Sequence, residues 1–143
     1  MNGKQALQRL IEGNSRFVED KLDRKLTDSK RRNELTTGQN PFAIVLSCAD
    51  SRVVPEFVFD SGLGDIFVIR VAGNIANIES LASIEYAVSH LGTKLIVVLG
   101  HQNCGAVSAA IAGGDNGHNL NTLLAQINPA IEKAGKNATV NNV

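Results

Sequence analysis

The 143-residue chain has no tryptophan, one tyrosine, one methionine, three prolines and two cysteines. Aromatics make up only 4% of it, so a core has to be built from Leu, Ile, Val and Ala. Lys and Arg number 14 and so do Asp and Glu; the basic excess of a dedicated nucleic-acid binder is missing. The longest apolar runs, Phe42 to Leu46 and Leu95 to Leu99, are five residues each, against the roughly 20 needed to cross a bilayer. The N-terminal stretch shows no secretory apolar region and no small-residue cleavage site. A cytoplasmic location is therefore expected, with neither nucleic acid nor membrane as partner. Cys48 and Cys104 are too few for a disulfide scaffold. In a reducing compartment they read as metal ligands, catalytic thiols or buried core residues.

What is present is the composition of a folded domain, 43% hydrophobic and 20% charged. The length suits a single domain over 1–143, with a helical arm over about 1–35 and an α/β core over about 36–143. Residues 4–20 read as an amphipathic helix with Leu7, Leu10, Ile11 and Val18 on one face. Residues 21–40, including Lys30-Arg31-Arg32, read as a solvated connector. Three Ile/Val-rich runs follow, Phe42–Ser47, Ile66–Val71 and Leu95–Leu99, in the pattern of parallel strands buried on both faces. A helix over 79–91 presents Leu81, Ile84, Val88 and Leu91 on one stripe and stops at Gly92. Another starts near Gly105. A third covers 119–134, where Pro129 marks a kink or a boundary. Strands alternating with helices predict a three-layer, doubly wound α/β fold with a mostly parallel sheet. The polar stretch 136–143 carries no strand pattern.

The chemistry-bearing residues fall in two places. The first strand runs into Ser47-Cys48-Ala49-Asp50-Ser51-Arg52, and the third into Gly100-His101-Gln102-Asn103-Cys104-Gly105. Ligands of open α/β sheets bind at the carboxyl ends of the strands. Cys48, His101 and Cys104 form a Cys2His set suited to zinc, with a fourth position left for water or substrate. Asp50 can reach such a metal or accept a hydrogen bond from water on it. Arg52, always protonated, can hold the carboxylate bidentately and draw it away.

The segments SCADSRVVPE and GHQNCGA resemble the two signatures of β-class carbonic anhydrases. EGNSRF, DIFVIRVAGN and SIEYAVSHLGTKLIVVLGH extend the resemblance over roughly residues 4 to 143. It implies one Zn2+ per chain on Cys48, His101 and Cys104, with Asp50 as an additional ligand in a closed state only. It implies Asp50 and Arg52 as a catalytic dyad, and reversible hydration of carbon dioxide to bicarbonate and a proton by hydroxide held on the zinc. Gln39 matches a glutamine that contacts bicarbonate across a dimer interface. Phe67, Ala72, Tyr86 and Gly105 match substrate-pocket positions, Ala72 replacing a larger Val of plant-type members. The absence of Trp argues against the subgroup with an inhibitory bicarbonate site. A homodimer or tetramer is implied. The C-terminal strands of the family are expected to be absent, leaving Leu95–Leu99 as an apolar edge for another chain to cover. Relatives with this signature also hydrolyse carbonyl sulfide or carbon disulfide, and a shortened, inactive zinc-binding module is a further alternative.

Overall fold

The protein is described by a computed structural model covering residues 1–23 and 25–143; Arg24 lies outside the described residues. Helix α1 (Gly3–Val18) opens on a reciprocal cap. The Asn2 side chain accepts the Gln5 N–H, and the Gln5 side chain accepts the Asn2 N–H, both at 3.0 Å. Its buried stripe is Ala6, Leu10 and Gly13. The expected inward face is therefore corrected: Leu10 is buried, but Leu7, Ile11 and Val18 are exposed. The reason is close approach. A Cβ at Gly13 would fall 1.9 Å from the Phe59 carbonyl oxygen, so only the small-residue side of α1 can lie there. Gly13→Ala is expected to cost about 1–3 kcal/mol by overpacking. It is read as a lower urea midpoint at unchanged slope, and an unmoved midpoint would refute this docking of α1.

The connector is also more ordered than its polarity implies. Asp28 caps a short helix, α2 (Ser29–Glu34), by accepting the Arg31 N–H, and a 3-10 turn (Leu35–Thr37) follows. Arg31 of the basic cluster is not simply solvated, since its Nε donates to the Leu63 carbonyl at 2.9 Å.

Three parallel strands, β1 (Ala43–Ser47), β2 (Ile66–Arg70) and β3 (Ile96–Leu99), form one sheet in the order β2-β1-β3. Helix α3 (Pro55–Val58) precedes β2, and α4 (Ile78–Ser89) joins β2 to β3. Helices α5 (Gly105–Ala112), α6 (His118–Ala125) and α7 (Asn128–Ala134) follow β3. The central strand β1 is buried along its whole length, as expected of a strand covered on both faces. β3 is not buried on both faces: Ile96 and Val98, on one face, are 48% and 61% exposed, and β3 is the apolar edge strand expected of Leu95–Leu99. Among the described residues, no strand lies beyond it or in the stretch 136–143.

The faces and lengths of the helices differ in part from the periodicity. In α4, capped by Asn77 accepting the Ser80 N–H, the buried residues are Ser80 and Ala87, while Leu81 and Val88 are exposed. Gly92, at φ +68°, turns the chain so that the Thr93 N–H reaches the Ala87 carbonyl. The single helix expected over 119–134 is two, with Pro129 in the first turn of α7, where a missing N–H costs nothing. Leu124 and Ile127 then pack with Ile75 in a small core that Val107 and Val143 also touch.

Candidate metal centre

The sheet order reverses at β1: its connection through α3 goes to β2 on one side, while β3 lies on the other. Cys48 follows β1 and His101 follows β3 by two residues, so both clusters leave neighbouring strands at the switch point, where such sheets bind ligands. Their register, Ser47 against Leu99, brings the segments side by side. Cys104 is the N-cap residue of α5.

The potential donor atoms of Cys48, His101 and Cys104 all lie within 4.8 Å of one another. The two Sγ atoms are 3.9 Å apart, and both thiols are buried and free of disulfide. A tetrahedral ion with Zn–S bonds of about 2.3 Å needs sulfurs about 3.8 Å apart. The His101 Nδ1 lies 3.0 Å from the Gln102 carbonyl oxygen. Donation there leaves the lone pair on Nε2, which is buried without a hydrogen-bond partner. A partnerless buried imidazole nitrogen facing two thiols is a donor set that fits a zinc ion.

Burial pushes the Cys48 thiol up, but contacts with His101, the backbone N–H groups of Asp50 and Gly73, and Cys104 outweigh it and hold it below its ordinary value. The Gly73 N–H reaches Cys48 Sγ at 3.3 Å. Gly73 sits at φ +70° in the 3-10 turn Ala72–Asn74, a conformation open to glycine.

Asp50 stands beside the cluster and outside it. Its Oδ2 is 3.8 Å from His101 Nε2. Arg52 grips it three times: Nε to Oδ1 at 2.9 Å, Nη2 to Oδ2 at 2.7 Å, and the backbone N–H to Oδ1 at 2.9 Å. The Arg52 side-chain hydrogen bonds hold the Asp50 carboxyl well below the usual carboxylate range, and Asp50 raises Arg52 in turn. The fork geometry is that of a strong bidentate pair.

The remaining expected residues are spread out. A cavity of about 510 Å3 adjoins His101 and Cys104, walled by Ile75, Val107, Ile127 and Val143 and edged by Asn74, Gln102 and Gln126. Among the described residues, neither Gln39, Phe67, Ala72, Tyr86 nor Gly105 lines it. Gln39 lies at a separate shallow surface with Thr37 and Leu63. Phe67 on β2 packs on Tyr86 of α4 with centroids 6.3 Å apart, and Tyr86 stacks on His90 at 5.1 Å. Ala72 opens the turn that presents Gly73, and Gly105 is the first residue of α5.

Sequence reasoning missed Arg70. From the end of β2 its side chain donates to the carbonyls of Cys48 at 2.9 Å, Asp50 at 2.7 Å and Val53 at 3.1 Å. One guanidinium thus fixes the loop that carries Cys48 and Asp50. The available signal was a charge closing an apolar strand on the same edge as both motifs.

Comparison with known proteins agrees with this geometry. The family described as carbonic anhydrase matches residues 43–142. Carbonic anhydrase 2 of Mycobacterium tuberculosis is 49% identical over 112 residues, covering 78% of this chain and 54% of that protein. The chain spans about half the length of the curated relatives it matches. The Coccomyxa β-carbonic anhydrase, solved with acetazolamide, superposes with a TM-score of 0.72 at 28% identity, over 94% of this chain and 62% of that one. A tetrameric β-carbonic anhydrase of Sordaria macrospora gives 0.70 at 29% identity, over 92% of this chain and 67% of that one. The chain belongs to the β-class carbonic anhydrase family.

Proposed function

We propose that this chain catalyses the reversible hydration of carbon dioxide, with one zinc ion held by Cys48, His101 and Cys104. The observation that carries the reading is the donor set itself: two buried thiols 3.9 Å apart and a buried imidazole nitrogen with no partner. Beside it, Asp50 is kept off the set by Arg52. When bound, zinc supplies the Lewis acidity that lets a water ionise near neutral pH.

The residues of the chain do the rest. Three protein donors leave one position for a small molecule. Asp50, ionised and fixed, accepts a hydrogen bond from the reacting water and so sets the direction of its lone pairs. Arg52 keeps both carboxylate oxygens from closing the open position. Arg70 and the Gly73 N–H hold the Cys48 side of the site still. Phe67, Ala72, Tyr86 and Gly105 are proposed on the substrate side, with Gln39 acting from a second copy. Oligomerisation, as a homodimer or tetramer, is supported by an apolar surface that the described residues leave uncovered. Leu81, Tyr86, Val88, Ile96 and Val98 are all exposed, and by register Ile96 and Val98 share the sheet face of Phe67. No helix among the described residues is long and apolar enough to cross a membrane. The two free cysteines suit a reducing, cytoplasmic setting.

The test is stopped-flow CO2 hydration on zinc-quantified protein, run beside carbonyl sulfide and carbon disulfide. Turnover of CO2 is expected to exceed that of either sulfur compound and to rise towards alkaline pH, since two thiolates offset the metal charge and acidify water less than neutral ligands. Faster hydrolysis of a sulfur compound would reassign the substrate. One zinc per chain without any turnover would overturn the enzymatic reading.

A further inference from the structure

The stretch after α7 is polar and carries no strand pattern, yet the structure lays it against the metal centre. A 3-10 turn (Gly135–Asn137) leads into a tight turn over 139–142. That turn is built by its own side chains. Asn142 Oδ1 accepts the Thr139 N–H at 2.7 Å, and Asn142 Nδ2 donates to the Asn137 carbonyl at 3.0 Å. The N–H groups of Asn142 and Val143 both reach back to the Thr139 carbonyl. Val143 anchors the end of the turn in the core of Ile75, Leu124 and Ile127.

This fixed turn presents Asn141. Its Oδ1 accepts the backbone N–H of Asn103 at 3.0 Å, across 38 residues of sequence. Asn103 lies between His101 and Cys104 and adopts φ +53°, in the left-handed region, which a non-glycine residue enters at a cost. The carbonyl of the same Asn103 accepts Arg52 Nη2 at 3.2 Å, the nitrogen that also holds Asp50. One residue of the ligand loop is therefore held by its N–H through Asn141 and by its C=O through Arg52.

We propose that the 139–143 segment is a strap over the metal centre, with Asn141 as the positioning residue that keeps the His101–Cys104 loop in its ligating shape. Asn141 acts through Asn103. Val140, Asn141 and Val143 line the same cavity as His101 and Cys104, so the strap both shapes the loop and borders the space beside it. The consequence for metal retention rests on the zinc reading above, whereas the contact itself does not.

Two measurements separate these. In the metal-free chain, Asn141→Ala is expected to raise hydrogen exchange at the Asn103 amide about tenfold, as loss of one net hydrogen bond allows. Asn141→Asp, which keeps an acceptor oxygen, is expected to restore protection to within about twofold. In the cobalt-substituted chain, Asn141→Ala is expected to release metal to a chelator about tenfold faster and to alter the thiolate-to-cobalt absorption, with Asn141→Asp close to wild type. Unchanged Asn103 exchange in Asn141→Ala would overturn the strap. Faster exchange with unchanged cobalt release and spectrum would overturn the positioning role, as would an Asp variant that behaves like Ala. A wild-type chain that holds cobalt yet hydrates no CO2 would sink the enzymatic reading and leave this one standing. A wild type that takes up no metal would overturn the positioning role together with the zinc reading, with the strap decided by exchange alone.

Discussion

Cys48→Ser is expected to leave the chain folded, without its metal, and without measurable CO2 hydration. The substitution changes one buried atom at the end of the buried central strand. Serine nearly matches the shape, so the thermal midpoint is expected to move by only a few degrees, about 1 kcal/mol or less. The donor chemistry does not survive. A hydroxyl stays protonated where the Cys48 thiol is held below its ordinary value by His101 and by the N–H groups of Asp50 and Gly73. Cys104 and His101 alone offer two donors, too few for a tetrahedral site that has to keep a position open. Metal polarisation is worth several kcal/mol of transition-state stabilisation, and each 1.4 kcal/mol is about tenfold, so turnover is expected to fall more than about a thousandfold. Metal analysis and stopped-flow hydration on the same preparation check both halves. Full metal content with full turnover in Cys48→Ser would remove the cluster from the mechanism.

The strands and the ligand set were legible because each depends on local pattern. Apolar runs of four or five residues announced the strands, and the cysteines and His101 sit just beyond two of them. Once β1 and β3 pair in parallel, Cys48, His101 and Cys104 have to meet. The helix faces were less legible, because periodicity reports where apolar residues recur and not which side another element can approach. Around Gly13 and Ala87 close contact selects small residues, and Leu7, Ile11, Leu81 and Val88 are turned outward. Ile96 and Val98 are exposed on an edge strand: the apolar run alone reads as doubly buried, and only the expected absence of further strands marks Leu95–Leu99 as an edge. The roles of Arg70 and Asn141 were missed for a different reason. Their partners lie 17 to 38 residues away and are backbone groups, which carry no side-chain signature in a sequence.

Asp50→Ala is expected to keep the metal and lose about 10²–10³ in turnover, the usual loss for one preorganised hydrogen-bonding group at a reacting centre. Metal retention follows because Asp50 lies outside the three-donor set. The dyad makes a sharper prediction than the single variant. Arg52 holds Asp50 through both carboxylate oxygens and makes one longer contact to the Asn103 carbonyl, so its main action runs through Asp50, and Asp50→Ala/Arg52→Ala is expected to be within about tenfold of Asp50→Ala alone. Arg52→Ala by itself is expected to fail differently. The freed carboxylate, 3.8 Å from His101 Nε2, can turn onto the open position, and activity is lost while metal is retained. The pH dependence carries the same logic. A carboxyl whose folded pKa is lowered contributes stability above its unfolded value of about 3.9. That contribution is lost only as pH falls through the lower folded value, here set by the Arg52 hydrogen bonds. Asp50 therefore stays ionised through the neutral and mildly acidic range, and a fall in wild-type activity there reports another group. Turnover unchanged in Asp50→Ala would refute the assigned role. A double variant much slower than Asp50→Ala would show that Arg52 acts beyond Asp50, through the Asn103 carbonyl or at the reacting atoms.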